Sequence, residues 1–348
     1  MIERLLCASK HALKIVVGLV CAIAPATAAQ AQENTPYVVV SPGMSASLFG
    51  VRHQQQTFNN CGPATISMQL SYFGRTENQA DIARVLRPDR NDRNVSPDEL
   101  VTYAQSLGMR AKWVVGGDVL MLRALVANGL PVIVESWFIP DPNDEMGHYL
   151  LLTGYDGDVL TFQDSYHGPN VTETVSEFDP LWKVFNRSAV VVWPPEREAQ
   201  VQAILGERMD DGFMVERALA TARVEAHSNP QDKYAWFNIG TNLLLMGDAA
   251  GAAQAYDTAE SLKLPWRMLW YQFGPYSAYY HAGRYDKVVQ LANKTLTRVK
   301  NLEESYYWRG LAYAAQGKRT LAQRDLQRAV ALNPNYTQAR QALQQTAS

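Results

Sequence analysis

The sequence predicts an α+β domain followed by an all-α repeat array. Three observations carry that reading. From about 37 to 195, helix signals come first and short strands rich in branched and aromatic residues come after, the order of an α+β unit. From about 196 the strand signals vanish and the apolar spacing becomes helical. Within that second stretch, residues of the same type recur at fixed offsets of 36 and then 34 positions. A chain of 348 residues suits about two such parts. Its net charge of −2 gives no basic footprint for nucleic acid. The expected boundaries are a leader at 1–31, the α+β domain at 37–195 and the helical domain at 196–348.

The leader is read from charge and length. Arg4, Lys10 and Lys14 precede an apolar run from Ile15 to Ala24, and small residues follow in A-x-A order at Ala26/Ala28 and Ala29/Ala31. That is the pattern of a secretory signal peptide. The run is about half of the ~20 residues a membrane span needs. The mature chain is therefore expected to be exported, periplasmic or secreted, with no membrane span. Cys7 and Cys21 would leave with the leader, so Cys61 would be the only cysteine. One cysteine cannot form an internal disulfide, and a free thiol in an oxidising compartment needs either burial or a use.

In the α+β part, Pro63 stands where a first helical turn accepts it, so Cys61-Gly62-Pro63 opens a helix. Ser96-Pro97-Asp98-Glu99 is a capping box whose helix stops at Gly108. A further helix opens at Asp118 and ends at Asn128-Gly129. PVIVESWF, HYLLLTGY, DVLTFQD and SAVVVW read as strands.

Cys61 is the first chemical candidate. Unpaired N–H groups and the dipole at a helix N-terminus favour a thiolate. Gly62 is expected to leave room for a substrate backbone. The competing reading is a buried, inert thiol. A nucleophile needs a base and an orienter, and His148 and Asp164 lie on strands joined by the turn YDGD. A two-residue loop at Asp156-Gly157 would pair His148 with Ser165 and send Asp164 to the opposite face. A three-residue loop with Gly157 left-handed would pair Gly154 with Asp158 and set His148 directly opposite Asp164, with Cβ atoms about 4.5–5.5 Å apart. The second register is the expectation. It also puts Leu150, Leu152, Leu160 and Phe162 on one buried face. His53 and His167 lie in loops, and His227 and His281 lie in the repeats; His167 is expected at a rim. An oxyanion donor could come from the Cys61 N–H and from a side-chain amide among Gln54, Gln55, Gln56, Asn59 and Asn60. No cluster has metal-ligand spacing, and no cofactor is expected.

In the helical part, Trp236, Gly240, Leu243, Gly247, Ala252, Tyr256 and Ala259 are followed by Tyr276, Tyr279, Gly283, Val288 and Ala292. Gly310, Tyr313, Gly317, Ala322, Leu326 and Ala329 come next. This resembles the tetratricopeptide repeat, with a degenerate middle unit carrying Val288 and Thr295 at small-residue positions. A weaker unit with Gly206, Ala218, Ala222 and Pro230 precedes them. The array is expected either to stack and stabilise or to hold a peptide or protein partner.

A glutamine upstream of N-N-C-G-P-A, then G-H-Y, then F-x-D resemble the papain-like double-glycine cysteine peptidases of the bacteriocin-processing type, over about 48–195. The resemblance implies a papain-like fold, with a helix carrying the cysteine packed on an antiparallel sheet. It implies Cys61 as nucleophile, His148 as base, Asp164 as orienter and Gln55 or Gln56 in the oxyanion hole. The best-known members are fused to transporters and cleave after Gly-Gly; here a repeat array follows the domain, so that specificity is not implied. The expected function is an exported thiol peptidase acting on a peptide or protein substrate. The alternatives are an acyltransferase of transglutaminase type using the same triad, and a catalytically silent peptide-binding protein.

Overall fold

The computed structural model describes residues 37–88, 94–139 and 145–347. The expected leader at 1–31 lies outside the described residues. The N-terminal part is built on a seven-stranded sheet. In chain order the strands are β1 (Ser45–Ser47), β2 (Arg110–Val114), β3 (Val132–Phe138), β4 (Met146–Asp156), β5 (Val159–Asp164), β6 (Gly168–Thr174) and β7 (Ala189–Trp193). Their order in the sheet is β2-β7-β3-β4-β5-β6, with β1 also paired to β4, and every pairing is antiparallel.

Helices cover both faces. On one face lie α1 (Cys61–Tyr72), α2 (Gln79–Leu86) and α3 (Pro97–Ser106), whose Ile66, Met68, Leu70, Ile82 and Leu100 pack on Ile133, Tyr149, Leu151 and Val190. On the other lie α4 (Val119–Ala127) and α5 (Val175–Lys183), packed on Val132, Leu150, Leu152, Leu160 and Phe162. The alternation along β4 and β5 thus sorts side chains into two cores, as a period of two requires.

Local signals act where the sequence puts them. Ser96 N–H and Oγ–H both donate to Glu99 Oε2, each at 2.8 Å, closing the box at the start of α3. Asp118 caps α4 by accepting from the Met121 N–H at 2.8 Å. Three strands and two helices carried weaker signals. β6 contains Gly168, Pro169 and Asn170 and survives at a sheet edge, where a missing donor is tolerated. α5 has Pro180 inside it and is held by a Thr174–Glu177 capping box.

The β4–β5 register differs from expectation. The turn is the two residues Gly157-Asp158, with Asp156 opposite Val159 and Gly154 opposite Thr161. Gly157 is left-handed (φ +52°), but it serves this tighter turn. A bulge at Thr153 then shifts the pairing by one residue, so Leu152 faces Phe162 and Leu150 faces Asp164. His148 is therefore not directly opposite Asp164 but two residues further along the same face. The bulge restores the parity that the short turn alone would have lost. Leu150, Leu152, Leu160 and Phe162 share one core, as expected.

Among the described residues, only helices follow β7. They are α6 (Glu198–Leu205), α7 (Asp211–Ser228), α8 (Lys233–Leu245), α9 (Ala249–Ser261), α10 (Met268–Tyr271), α11 (Gly274–His281), α12 (Tyr285–Arg298), α13 (Glu303–Ala315), α14 (Arg319–Leu332) and α15 (Thr337–Ala347). The pairs α8/α9, α11/α12 and α13/α14 are the three repeats. A Cβ at Gly240 would lie 2.8 Å from the Tyr256 ring, and one at Gly310 would lie 2.8 Å from Leu326. Those two glycines let paired helices touch. Twelve residues separate Ser261 from Gly274, and they carry the extra turn α10 toward the sheet.

The two parts share a core. Trp137, Val184 and Phe185 pack with Phe237, Leu244, Met268 and Tyr276. Polar ties reinforce it: Arg187 joins Asp179 at 2.6 Å and Glu225 at 2.7 Å, and Asn186 Nδ2 donates to the buried Asn242 Oδ1 at 2.8 Å. Among the described residues no helix is long and apolar enough to cross a membrane.

Candidate active site

The loop before α1 sets the thiol. Asn59 is left-handed (φ +56°), a conformation asparagine tolerates better than other side chains with a Cβ. Asn60 is buried; its Nδ2 donates to Gln79 Oε1 at 2.9 Å and its Oδ1 accepts from Arg87 Nη1 at 3.1 Å. Cys61 begins the helix and is partly exposed. α1 is buried along nearly its whole length and is anchored by Thr65 Oγ1 donating to Tyr149 O at 3.1 Å and by Gln69 Nε2 donating to Pro131 O at 2.9 Å. Gly62 does not open toward substrate, as its position next to the thiol suggested. A Cβ there would lie 3.2 Å from Val95 Cβ and 3.5 Å from Tyr149, so the glycine serves close packing of α1.

His148 and Asp164 are both buried, at 5 % and 2 % exposure, and the His148 Nε2–H donates to Asp164 Oδ1 at 2.7 Å. That leaves the other ring nitrogen for the thiol, whose pKa His148 lowers. Asp164 is held from every side. The Tyr166 N–H donates to Oδ1 at 2.7 Å, His167 Nδ1–H donates to Oδ2 at 2.8 Å, and His53 Nε2–H donates to the Asp164 carbonyl at 2.9 Å. His167, expected only at a rim, is half-exposed yet grips the same carboxylate. Phe138 lies 5.1 Å from the His148 ring and 5.0 Å from Tyr166, walling this network.

The electrostatics follow from these contacts. Burial works to raise the Cys61 thiol, but the hydrogen bond and charge of His148, with the N–H groups of Tyr149 and Gly62, outweigh it and lower the pKa. Burial works to lower His148, but Asp164 and Cys61 prevail and push it up to about 9. Burial opposes the charge of Asp164 too, and His148, the Tyr166 N–H and His167 still hold it well below the usual carboxylate range. The arrangement favours a thiolate–imidazolium pair at neutral pH.

The upstream glutamines separate by their partners. Gln54 is used in the fold, with Nε2 donating to Ser67 Oγ at 2.5 Å and Oε1 accepting from the Gln79 N–H at 3.0 Å. Gln55 is exposed, and its Nε2 donates to Tyr166 O at 2.5 Å. Gln56 is half-buried. Its N–H donates to Ser165 O at 2.7 Å, its Oε1 accepts from Ser165 Oγ at 2.8 Å, and its Nε2 takes no partner among the described residues.

Two neighbours of the thiol had no place in the sequence reading. Glu135, on β3 opposite Tyr149, lines a small cavity with Cys61, Gly62, Gly147 and Tyr149. Tyr271, from α10, lines the same cavity. A glutamate inside the apolar strand PVIVESWF was a visible signal for the first. Nothing local marks the second, because its place depends on how the two parts dock.

Comparison with known proteins agrees with this layout. Residues 49–190 match the model of the Peptidase_C39 like family, and residues 303–336 match that of the tetratricopeptide repeat. No curated protein matches the chain. Among solved structures, a C39-like peptidase from Bacillus anthracis is 18% identical, with 42% of this chain and 96% of that chain covered and a TM-score of 0.36. The peptidase domain of Streptococcus ComA, a bi-functional ABC transporter, is 19% identical over 40% of this chain and 96% of its own, with a TM-score of 0.34. MamA from Desulfovibrio magneticus is 19% identical over 42% and 82%, with a TM-score of 0.36. Residues 49–190 thus carry a Peptidase_C39-like domain, and the helices that follow it include a tetratricopeptide repeat at 303–336.

Proposed function

We propose that the chain is an exported thiol peptidase that cleaves peptide bonds through Cys61, His148 and Asp164, with the repeats holding substrate or partner. The observation that carries this reading is the buried His148–Asp164 hydrogen bond at 2.7 Å, with Cys61 at the start of α1 and its thiol pKa lowered by that same imidazole. The Cys61 thiolate attacks the scissile carbonyl carbon. The carbonyl oxygen gains the charge and is met by the Cys61 N–H, which helix carbonyls cannot reach, and by Gln56 Nε2. Gln56 suits this role better than Gln55, whose Nε2 is already donating to Tyr166 O. As the tetrahedral adduct collapses, the C–N bond breaks and imidazolium passes its proton to the leaving amine. Neutral His148 then takes a proton from water, which attacks the thioester and releases the acid and the thiol. Asp164 orients the ring throughout. Export is supported by the residue pattern of 1–31 alone.

The test is cleavage of a peptide library by the full chain and by Cys61→Ala. Peptides cut only by the parent support the reading; identical behaviour on every peptide defeats it. Hydroxylamine offered during turnover reports the shared thioester as a hydroxamate, and the ratio of amide to acid formed with a peptide amine as the only added nucleophile separates acyl transfer from hydrolysis.

A further inference from the structure

Glu135 is the least expected residue beside the thiol. It is 7 % exposed, yet its carboxylate has no hydrogen-bond partner among the described residues. A buried carboxyl left unpaired costs stability, and this one stands between two spaces. One is the small cavity containing Cys61. The other is a cavity of about 370 Å³ between the sheet and the repeats. Glu135 and Tyr271 line both.

The larger cavity has a definite chemistry. Its remaining acidic groups are Asp98 and Glu99 from α3 and Glu303 and Glu304 from α13. Asn333 Nδ2 donates to Glu303 Oε1 at 3.2 Å, and Asn94 Nδ2 donates to Glu304 Oε1 at 3.4 Å, so both are positioned. Its walls include the rings of Trp113, Phe185, Tyr271 and Trp308. The Glu135 carboxyl and these aromatic faces suit a group with an apolar stem and a cationic head.

We infer that this cavity seats a lysine or arginine side chain of the peptide, paired with Glu135, at a substrate position next to the scissile bond. The inference rests on the peptidase reading for what the bound peptide is. Its position follows from Glu135, which shares one small cavity with the attacking sulfur. Burial, and after it the charge on Cys61, push Glu135 well above the ordinary carboxyl range. A cation arriving beside it would favour the charged carboxylate. Tyr271 makes the repeats part of this pocket, so the array contributes to selecting the residue beside the cleaved bond.

The test uses acetylated five-residue alanine amides with one arginine moved through each position, against the same series with citrulline, its neutral counterpart. Binding is measured by calorimetry to the full-length Cys61→Ala chain, which forms no acyl-enzyme. The expected result is one position where arginine binds at least about tenfold tighter than citrulline. Glu135→Gln should reduce that ratio below about threefold. No arginine preference at any position overturns the inference on the Cys61→Ala chain itself, whatever the Glu135 variant does. A preference that survives Glu135→Gln overturns it too. An unacetylated alanine pentamer that gains as much as the arginine peptide would assign the site to an α-ammonium group and overturn the side-chain assignment. The peptidase reading fails separately, by absent cleavage with the arginine preference intact.

Discussion

Tyr271 of the repeat array packs onto Gly147, the residue immediately before His148. A Cβ at Gly147 would lie 3.0 Å from the Tyr271 ring and 2.9 Å from Phe185. Burial, and after it the charge on Cys61, raise the pKa of the Tyr271 hydroxyl. The base is thus braced by a residue from the other half of the chain.

Gly147→Ala should therefore destabilise the full chain by about 1–3 kcal/mol through overpacking. Tyr271→Ala should recover part of that loss, because the two share one space. Thermal melts of the two single variants and the double variant measure the coupling. Simple addition of the two losses would mean the array does not press on this strand.

The rate of Cys61 alkylation by iodoacetamide should rise with pH through an inflection below the ordinary thiol value of ~8.5. His148→Ala leaves burial without its counterweight, so its inflection should move above that value. Peptide cleavage needs the imidazolium as well as the thiolate and should decline above about pH 9. Equal alkylation profiles for parent and variant would remove the ion pair from the account.

Asp164→Asn should lower the basicity of His148 and raise the thiol inflection, with cleavage falling by about 10²–10⁴. The sign of its stability effect is fixed by its depressed pKa. The ionised carboxylate stabilises the fold above the unfolded value of about 3.9, and that contribution is lost as pH falls through the lower folded value. Parent and variant melting temperatures should therefore converge toward acid.

Gln56→Ala should reduce kcat by about 10²–10³ while leaving the alkylation rate of Cys61 unchanged, since an oxyanion donor acts on the adduct and not on the thiol. Gln55→Ala should change kcat by only about twofold. The opposite ranking would hand the role to Gln55.

Glu99 is pushed up to about 7, first by burial, against the pull of its Ser96 hydrogen bonds. A carboxyl whose folded pKa is raised takes stability away as pH climbs from its unfolded value of about 4.3 through 7. Glu99→Gln keeps an acceptor for Ser96 and should melt higher than the parent at pH 8, with a smaller or reversed difference at pH 5.

Much of this site was legible in the chain. Pro63 placed Cys61 at a helix start, and the capping residues Ser96 and Asp118 fixed two helices. Alternation put His148, Leu150 and Leu152 on one face. Parity across the hairpin was not legible. Thr153 is β-branched and reads as ordinary strand, and Gly154 beside it marks a bulge without saying which way the register shifts. Tyr271 was out of reach for another reason: its contact with Gly147 spans parts far apart in sequence and exists only after docking. Gln55 and Gln56 could not be ranked by spacing, because partnering by Tyr166 and Ser165 decides which amide is left over.

The bulge at Thr153 makes the hairpin a device that counts. Between the turn at Gly157 and His148 the letters can change widely, so long as apolar and polar positions keep their turns. The number of letters cannot. Deleting one residue from this interval would turn the imidazole to the far side of the sheet, and Leu150 and Leu152 out of their core with it. An alignment that treats a single gap there as harmless would join two proteins of the same outline and opposite capability.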